Sequence, residues 1–159
     1  MPKKRTAVKK KAWIGVDPGK NGALALVTED NEVQITDVDG DAHNILNWIK
    51  EQKDAYDIQI AALEHVHSMP RDSGKSAFTF GRWCGMIEMA LIAEGIGYEK
   101  VTPTKWKRGL IKKEDGRDKA ASINVAKRLF PNHADLFKRK KDHNRAEALL
   151  IAVWARRNL

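Results

Sequence analysis

Residues 12–19 read Ala12-Trp13-Ile14-Gly15-Val16-Asp17-Pro18-Gly19. An apolar run ends in a carboxylate, and a Pro-Gly turn follows at once. The run is short and bounded by turn residues, which predicts a buried strand. A strand ending there carries Asp17 to the edge of the core. The arrangement recurs downstream, where Ile58-Gln59-Ile60-Ala61-Ala62-Leu63 stops at Glu64. Near the C-terminus, Glu147 interrupts the apolar series from Ala146 to Ala155. Three acids at core edges ask for a cation.

Outward from that first strand, 22–27 and 32–38 read as two more strands. Short turns at Pro18-Gly19 and Asp30-Asn31 join them, which predicts antiparallel neighbours. From Asp41 the period changes. Ile45, Leu46, Trp48 and Ile49 recur at helical spacing, with Asp41 placed to cap the helix. Strand 58–64 follows this helix and can pair parallel to the first strand through a crossover. A loop at 65–72 leads to a helix over 73–94, rich in Phe78, Phe80, Trp83, Met86, Met89 and Leu91. Gly95 and Gly97 end it. Residues 98–101 make a fifth strand, closed by Pro103 and followed by a basic segment. Helices over 117–129 and 143–157 finish the chain. The order β-β-β-α-β-α-β-α-α predicts an α/β fold: a five-stranded mixed sheet flanked by helices, in the ribonuclease-H-like arrangement.

The chain has 159 residues, of which 42% are hydrophobic. That suits one domain with a real core. The net charge of +8 points to a polyanionic partner. Nucleic acid fits better than a membrane, because no apolar run reaches the roughly 20 residues of a spanning helix. Cys84 is the single cysteine, which excludes an intrachain disulfide framework and points to a reducing compartment. Residues 1–11 hold Lys3, Lys4, Arg5, Lys9, Lys10 and Lys11 without an acid. They read as a basic disordered arm ahead of a ribonuclease-H-like domain over 12–159.

If the first and fourth strands are parallel neighbours, Asp17 and Glu64 leave the sheet at the same edge, on strands about 4.8 Å apart. Carboxylates so placed can bridge the two metal ions of a nuclease, which sit about 3.5–4 Å apart. Hard oxygen ligands select Mg²⁺ or Mn²⁺. Such ions would activate a water and stabilise the leaving oxygen of a phosphodiester. Glu147 lies in a helix that is apolar nearly all round, where a lone carboxylate is costly. A metal would compensate it, and so would Arg145 or a lysine. The segment after strand five supplies Lys105, Lys107 and Arg108 on the carboxylate side of the sheet. A cationic cluster beside a cation site makes sense when a polyanion bridges them. Trp106 within it reads as core packing ahead of base stacking. Lys138-Arg139-Lys140-Lys141 forms a second cluster, from which Lys140 and Lys141 are expected to reach phosphates. His65 and His67 suit stacking at a nucleic-acid surface or plain loop exposure. Gly74-Lys75-Ser76 is not a phosphate-binding loop, because Met69 stands where that motif needs glycine.

Val16-Asp17-Pro18-Gly19 with Gly22, then Leu63-Glu64, then Arg145-Ala146-Glu147-Ala148-Leu149 resemble the RuvC family of Holliday junction resolvases, in a phage-type form. The resemblance spans residues 12–157. It implies a ribonuclease-H-like fold, a homodimer, and Mg²⁺-dependent paired nicks in branched DNA, preferably four-way junctions. It implies that Asp17, Glu64 and Glu147 ligate metal, with two Mg²⁺ per site and Mn²⁺ able to substitute. It also implies that Lys107 and Lys119 hold phosphates of the scissile strand. The cytoplasm of a bacterium or a phage-infected host is the expected location.

The sequence departs from that family in three places. Asn144 stands where an acid or histidine usually precedes the last carboxylate. His67 stands where cellular members carry an aromatic wedge. The basic arm is not part of the common pattern. On a helix, the positions three and four before Glu147 share its face, which selects Asn144 and His143. Asp142 reaches the site only as the residue capping that helix. The expected order for the last ligand is His143, then Asp142, then Asn144. A catalytically weak junction-binding protein is the alternative function. A ribonuclease-H-like nuclease acting on flaps, forks or structured RNA is another.

Overall fold

The computed structural model describes residues 6–67 and 69–159. Residues 1–5 of the predicted arm, with Lys3, Lys4 and Arg5, lie outside the described residues. Strand β1 (Lys11–Asp17) starts inside the predicted arm. Lys10, just before it, is tied down by ion pairs to Asp30, at 2.7 Å, and to Glu32. β2 (Ala23–Thr28) and β3 (Val33–Asp37) continue antiparallel from β1. Helix α1 (Ala42–Ala55) begins at Asp41, whose carboxylate accepts the His43 backbone N–H at 2.9 Å. β4 (Asp57–Glu64) then lies parallel to β1. Helix α2 (Gly74–Ala93) starts at Ser73, which caps Ser76 at 3.1 Å. β5 (Tyr98–Val101) pairs parallel with β4.

The sheet order is β3-β2-β1-β4-β5, so the expected five-stranded mixed sheet is present. Element ends move by a residue or so. The basic segment after β5 is not a plain loop. It folds as α3 (Pro103–Arg108), with Thr102 as cap and proline in the first turn, where its missing N–H costs nothing. α4 (Asp118–Leu129) and α5 (His143–Asn158) follow, separated by 3₁₀ turns over Pro131–Phe137 and Lys140–Asp142. No helix among the described residues is long and apolar enough to cross a membrane.

The two-residue period of the strands divides the core. Ala12, Ile14 and Val16 of β1 join Leu24, Leu26, Ala61 and Leu63 beneath α1 and α2. Ala23, Ala25, Val27 and Ala62 face the other way, against α4 and α5. α5 is buried without a break from Ala148 to Ala155. A helix apolar all round belongs inside a fold, and this one lies across the middle of the sheet. Burying Leu149, Leu150 and Ile151 completely contributes about 1.5–3 kcal/mol each.

The contact between α5 and β1 is unusually close. A Cβ placed on Gly15 would fall 2.1 Å from the Ala148 carbonyl oxygen and 2.2 Å from the Ala152 backbone nitrogen. Helix backbone thus occupies the space a side chain would take. Ala148 and Ala152 are the small residues that permit it. Gly15→Ala should therefore cost about 3 kcal/mol in urea denaturation, the upper range for overpacking. Gly81 is exposed on α2 with nothing within 4 Å of an added Cβ. Gly81→Ala should move stability the other way, by about 0.5–1 kcal/mol. Equal effects at the two glycines would contradict this packing.

Candidate active site

Asp17 is two residues beyond Gly15, so it shares the β1 face that α5 covers. Ala62 lies on that face of β4, and Glu64 follows it by two. Val16 pairs with Leu63, which sets Asp17 beside Glu64 at the ends of adjacent parallel strands. Glu147 is one residue before Ala148, the residue pressed on Gly15. Strand parity, strand register and the helix seat thus converge on one place. Oxygens of Asp17, Glu64 and Glu147 lie within 4.8 Å of one another.

These acids are mostly withdrawn from water. Asp17 is 8% exposed. Burial holds its carboxyl well above the usual range, and repulsion from Glu147 and Glu64 adds to this, while Lys107 opposes it. Burial also raises Glu64, against the hydrogen bond it accepts from Trp106. The Trp106 indole donates Nε1–H to Glu64 Oε2 at 2.7 Å. The Ser122 hydroxyl lies 3.4 Å from Glu147 Oε1, and Lys107 Nζ lies 3.8 Å from the same oxygen. One lysine does not neutralise three carboxylates. A compact, oxygen-only donor set with surplus negative charge suits a hard divalent cation.

The site lies between two concavities. One, of about 740 Å³, is lined by Lys107, Lys119, Lys140, His143 and Glu147. The other, of about 530 Å³, is lined by Asp17, Gly19, His67, Phe80 and Asn144. Arg108 borders a neighbouring hollow with Lys107 and Asp118. Lys141 lines another with Arg139 and Asn144. Lys105 is not gathered with them. Its ammonium sits 5.6 Å from the Trp154 ring centre, two helical turns beyond Glu147.

Asp142, second in the expected ligand order, is engaged elsewhere. It is 3% exposed and does not join the three acids. Its oxygens accept from the Arg139 guanidinium and the Arg139 backbone N–H, each at 2.8 Å. Burial works to raise its pKa, but these bonds outweigh it and hold the carboxyl below the usual range. An acid held this way closes the turn ahead of α5. Its side chain does not cap α5. His143 opens α5 and turns to the Lys107–Lys119 basin, with Nδ1 3.0 Å from the Lys140 carbonyl oxygen. Asn144 faces the cleft beside Asp17 instead. Arg145, weighed as a partner for Glu147, bonds Asp37 at 2.7 and 2.8 Å. Trp106 packs in the core as expected, but its bond to Glu64 was missed. The signal available was general: a buried indole N–H needs an acceptor. Ser122 gave no signal.

The raised pKa values have a consequence for stability. In the unfolded chain an aspartate ionises near pH 4. In the folded chain Asp17 resists ionisation, so a destabilising cost grows as pH rises above about 4 and is complete above the folded pKa. Asp17→Asn removes that cost. In chelator at pH 8 it should raise Tm by about 3 °C, the shift expected of roughly 1 kcal/mol in a chain of this size. The difference should vanish toward pH 4. A loss of Tm at pH 8 would show that the carboxylate stabilises the fold instead.

No family model matches the chain. Over 94 residues it is 36% identical to the chloroplastic Holliday junction resolvase MOC1 of Chlamydomonas reinhardtii. That alignment covers 55% of this chain and 10% of the algal protein. The chain therefore spans about a tenth of the length of that relative. Among solved structures, T. thermophilus RuvC in complex with a Holliday junction substrate superposes with a TM-score of 0.59 at 18% identity. The match covers 93% of this chain and 96% of that one. A second Thermus thermophilus RuvC structure gives 0.58 at 14% identity, covering 92% and 95%. The five-stranded mixed sheet and its flanking helices are those of RuvC, so this chain has the ribonuclease-H-like fold.

Proposed function

We propose that this chain is a divalent-metal-dependent endonuclease that resolves four-way DNA junctions by paired nicks. One observation carries the reading: three carboxylates meet at the C-terminal ends of β1 and β4 under α5, beside a lysine-lined basin, on a chain of net charge +8. The fold of a protein solved with a Holliday junction and the partial likeness to a resolvase support it.

In this reading Asp17, Glu64 and Glu147 hold Mg²⁺, two ions per site, with Mn²⁺ able to substitute. The bound metal supplies charge neutralisation and lowers the cost of deprotonating the attacking water. The chain's own residues do the rest. Lys107 and Lys119 grip phosphates of the strand to be cut, and Lys140 extends that grip along the basin. His143, on the same helix face as Glu147, coordinates the cation or orients the water. His67 meets bases in the Asp17 cleft. Arg108 and Lys141 hold the flanking backbone, and the basic residues ahead of β1 add positive charge for the DNA to meet. A homodimer presents two such sites to the two strands of like polarity. The Met89 and Ile92 side chains of α2, 57% and 54% exposed, offer it an apolar face.

Asn144 sustains a second reading. Where the resemblance expects an acid or histidine, this chain has a neutral amide, as a weakened enzyme that mainly binds junctions would. A cleavage assay on synthetic four-way, three-way, flap and linear DNA, with and without Mg²⁺, separates the two. Efficient paired nicking of four-way DNA with Mg²⁺ is expected. Binding without nicking would favour the second reading, and preference for flaps would shift the substrate.

Asp17→Asn should abolish nicking while junction affinity stays within about threefold, because affinity rests on the basic surface. Parallel loss of binding would make Asp17 structural. His143→Ala should cost much more nicking than Asn144→Ala, with both variants folded. A strong gain from Asn144→Asp would reverse that order and place the missing carboxylate at 144.

A further inference from the structure

We infer that Trp106 is a positioning residue, holding Glu64 so that one carboxylate oxygen stays free for the cation. The inference rests on the metal-site reading above. Glu64 ends β4, and an exposed loop begins within two residues. Three rotatable side-chain bonds would let its carboxylate swing toward water. Trp106 prevents this. Its ring has no exposed surface and belongs to the core shared with α5. Its Nε1–H donates to Oε2 at 2.7 Å, a short distance for an N–H donor and typical of a charged acceptor. A buried indole left without an acceptor would be unfavourable, so the bond benefits both partners. Oε2 accepts the indole N–H, and a carboxylate oxygen of Glu64 lies within 4.8 Å of those of Asp17 and Glu147.

The same residue organises the cationic side. α3 is only six residues long and carries Trp106 and Lys107 in succession. The Lys107 ammonium lies 5.2 Å from the Trp106 ring centre and 3.8 Å from Glu147 Oε1. A single buried side chain therefore references Glu64 through its N–H and Lys107 through its ring. Partners that orient metal ligands in this way typically change metal affinity by about tenfold to a hundredfold when removed.

The test replaces Trp106 site-specifically with 3-benzothienylalanine, which keeps the bicyclic shape and puts sulfur in place of N–H. Trp106→Phe serves as a second variant. Mn²⁺ affinity is read by calorimetry, and Tm in chelator and metal-free junction affinity are read alongside. For the isostere, the Mn²⁺ dissociation constant should rise about tenfold, with metal-free junction affinity unchanged and Tm in chelator lowered only by the few degrees that one lost hydrogen bond costs. Nicking should recover at saturating Mn²⁺. In the wild-type protein, the indole N–H resonance absent from the isostere should move when Mg²⁺ is added. An unchanged Mn²⁺ constant in the isostere would reduce Trp106 to packing and leave the nuclease reading intact. A wild-type chain that binds no Mn²⁺ would remove both readings together.

Discussion

α5 can lie directly on β1 only because residue 15 has no side chain. With Ala148 and Ala152 facing it, helix backbone meets strand backbone at distances that no Cβ would allow. The depth of that seat fixes the height of Glu147 above the strand ends. Asp17, two residues along the same strand face, is carried to the same level. Glu64 joins them because β4 pairs parallel with β1 in a register that puts Leu63 beside Val16. The three-acid cluster is therefore a product of backbone packing, and its geometry depends on a glycine that bears no functional group. Gly22 protects the neighbouring turn in the same way. A Cβ there would fall 2.0 Å from the Asp17 carbonyl oxygen.

The cluster works against the fold that creates it. Burial and mutual repulsion hold Asp17 and Glu64 above the usual carboxylate range. Lys107 at 3.8 Å and Ser122 at 3.4 Å compensate Glu147 only in part. The buried face of α5 and the two core layers sustain that strain. Elsewhere charge is handled conventionally. Asp142 is satisfied by Arg139, and Asp37 by Arg145. This contrast separates acids available to a cation from acids that hold the chain together.

Much of this was legible in the sequence, because strand ends and helix periodicity are local signals. Asp17 before Pro-Gly and Glu64 after an apolar run marked their positions, and Glu147 stood out on a helix with no polar face. Asp41 announced α1. What could not be read were pairings between side chains distant in the chain. The bond from Trp106 to Glu64 spans 42 residues. Asp142 stands just ahead of α5, but both its oxygens accept from Arg139, three residues before it, a pairing the sequence did not announce. Lys105 shares a segment with Lys107 yet turns to Trp154, since neighbours on a short helix point in different directions. The basic segment after β5 carried no helix assignment, although Thr102 and Pro103 are a cap and a first-turn proline.

The central claim is that the seat of α5 on Gly15 assembles one cation site from Asp17, Glu64 and Glu147. Anomalous scattering from crystals of the protein grown with Mn²⁺ tests it most directly. The account predicts one or two peaks, each about 2 Å from its carboxylate oxygens and together ligated by all three acids, as expected for hard divalent ions. Peaks confined to other acids, or a vacant cluster at saturating Mn²⁺, would contradict it.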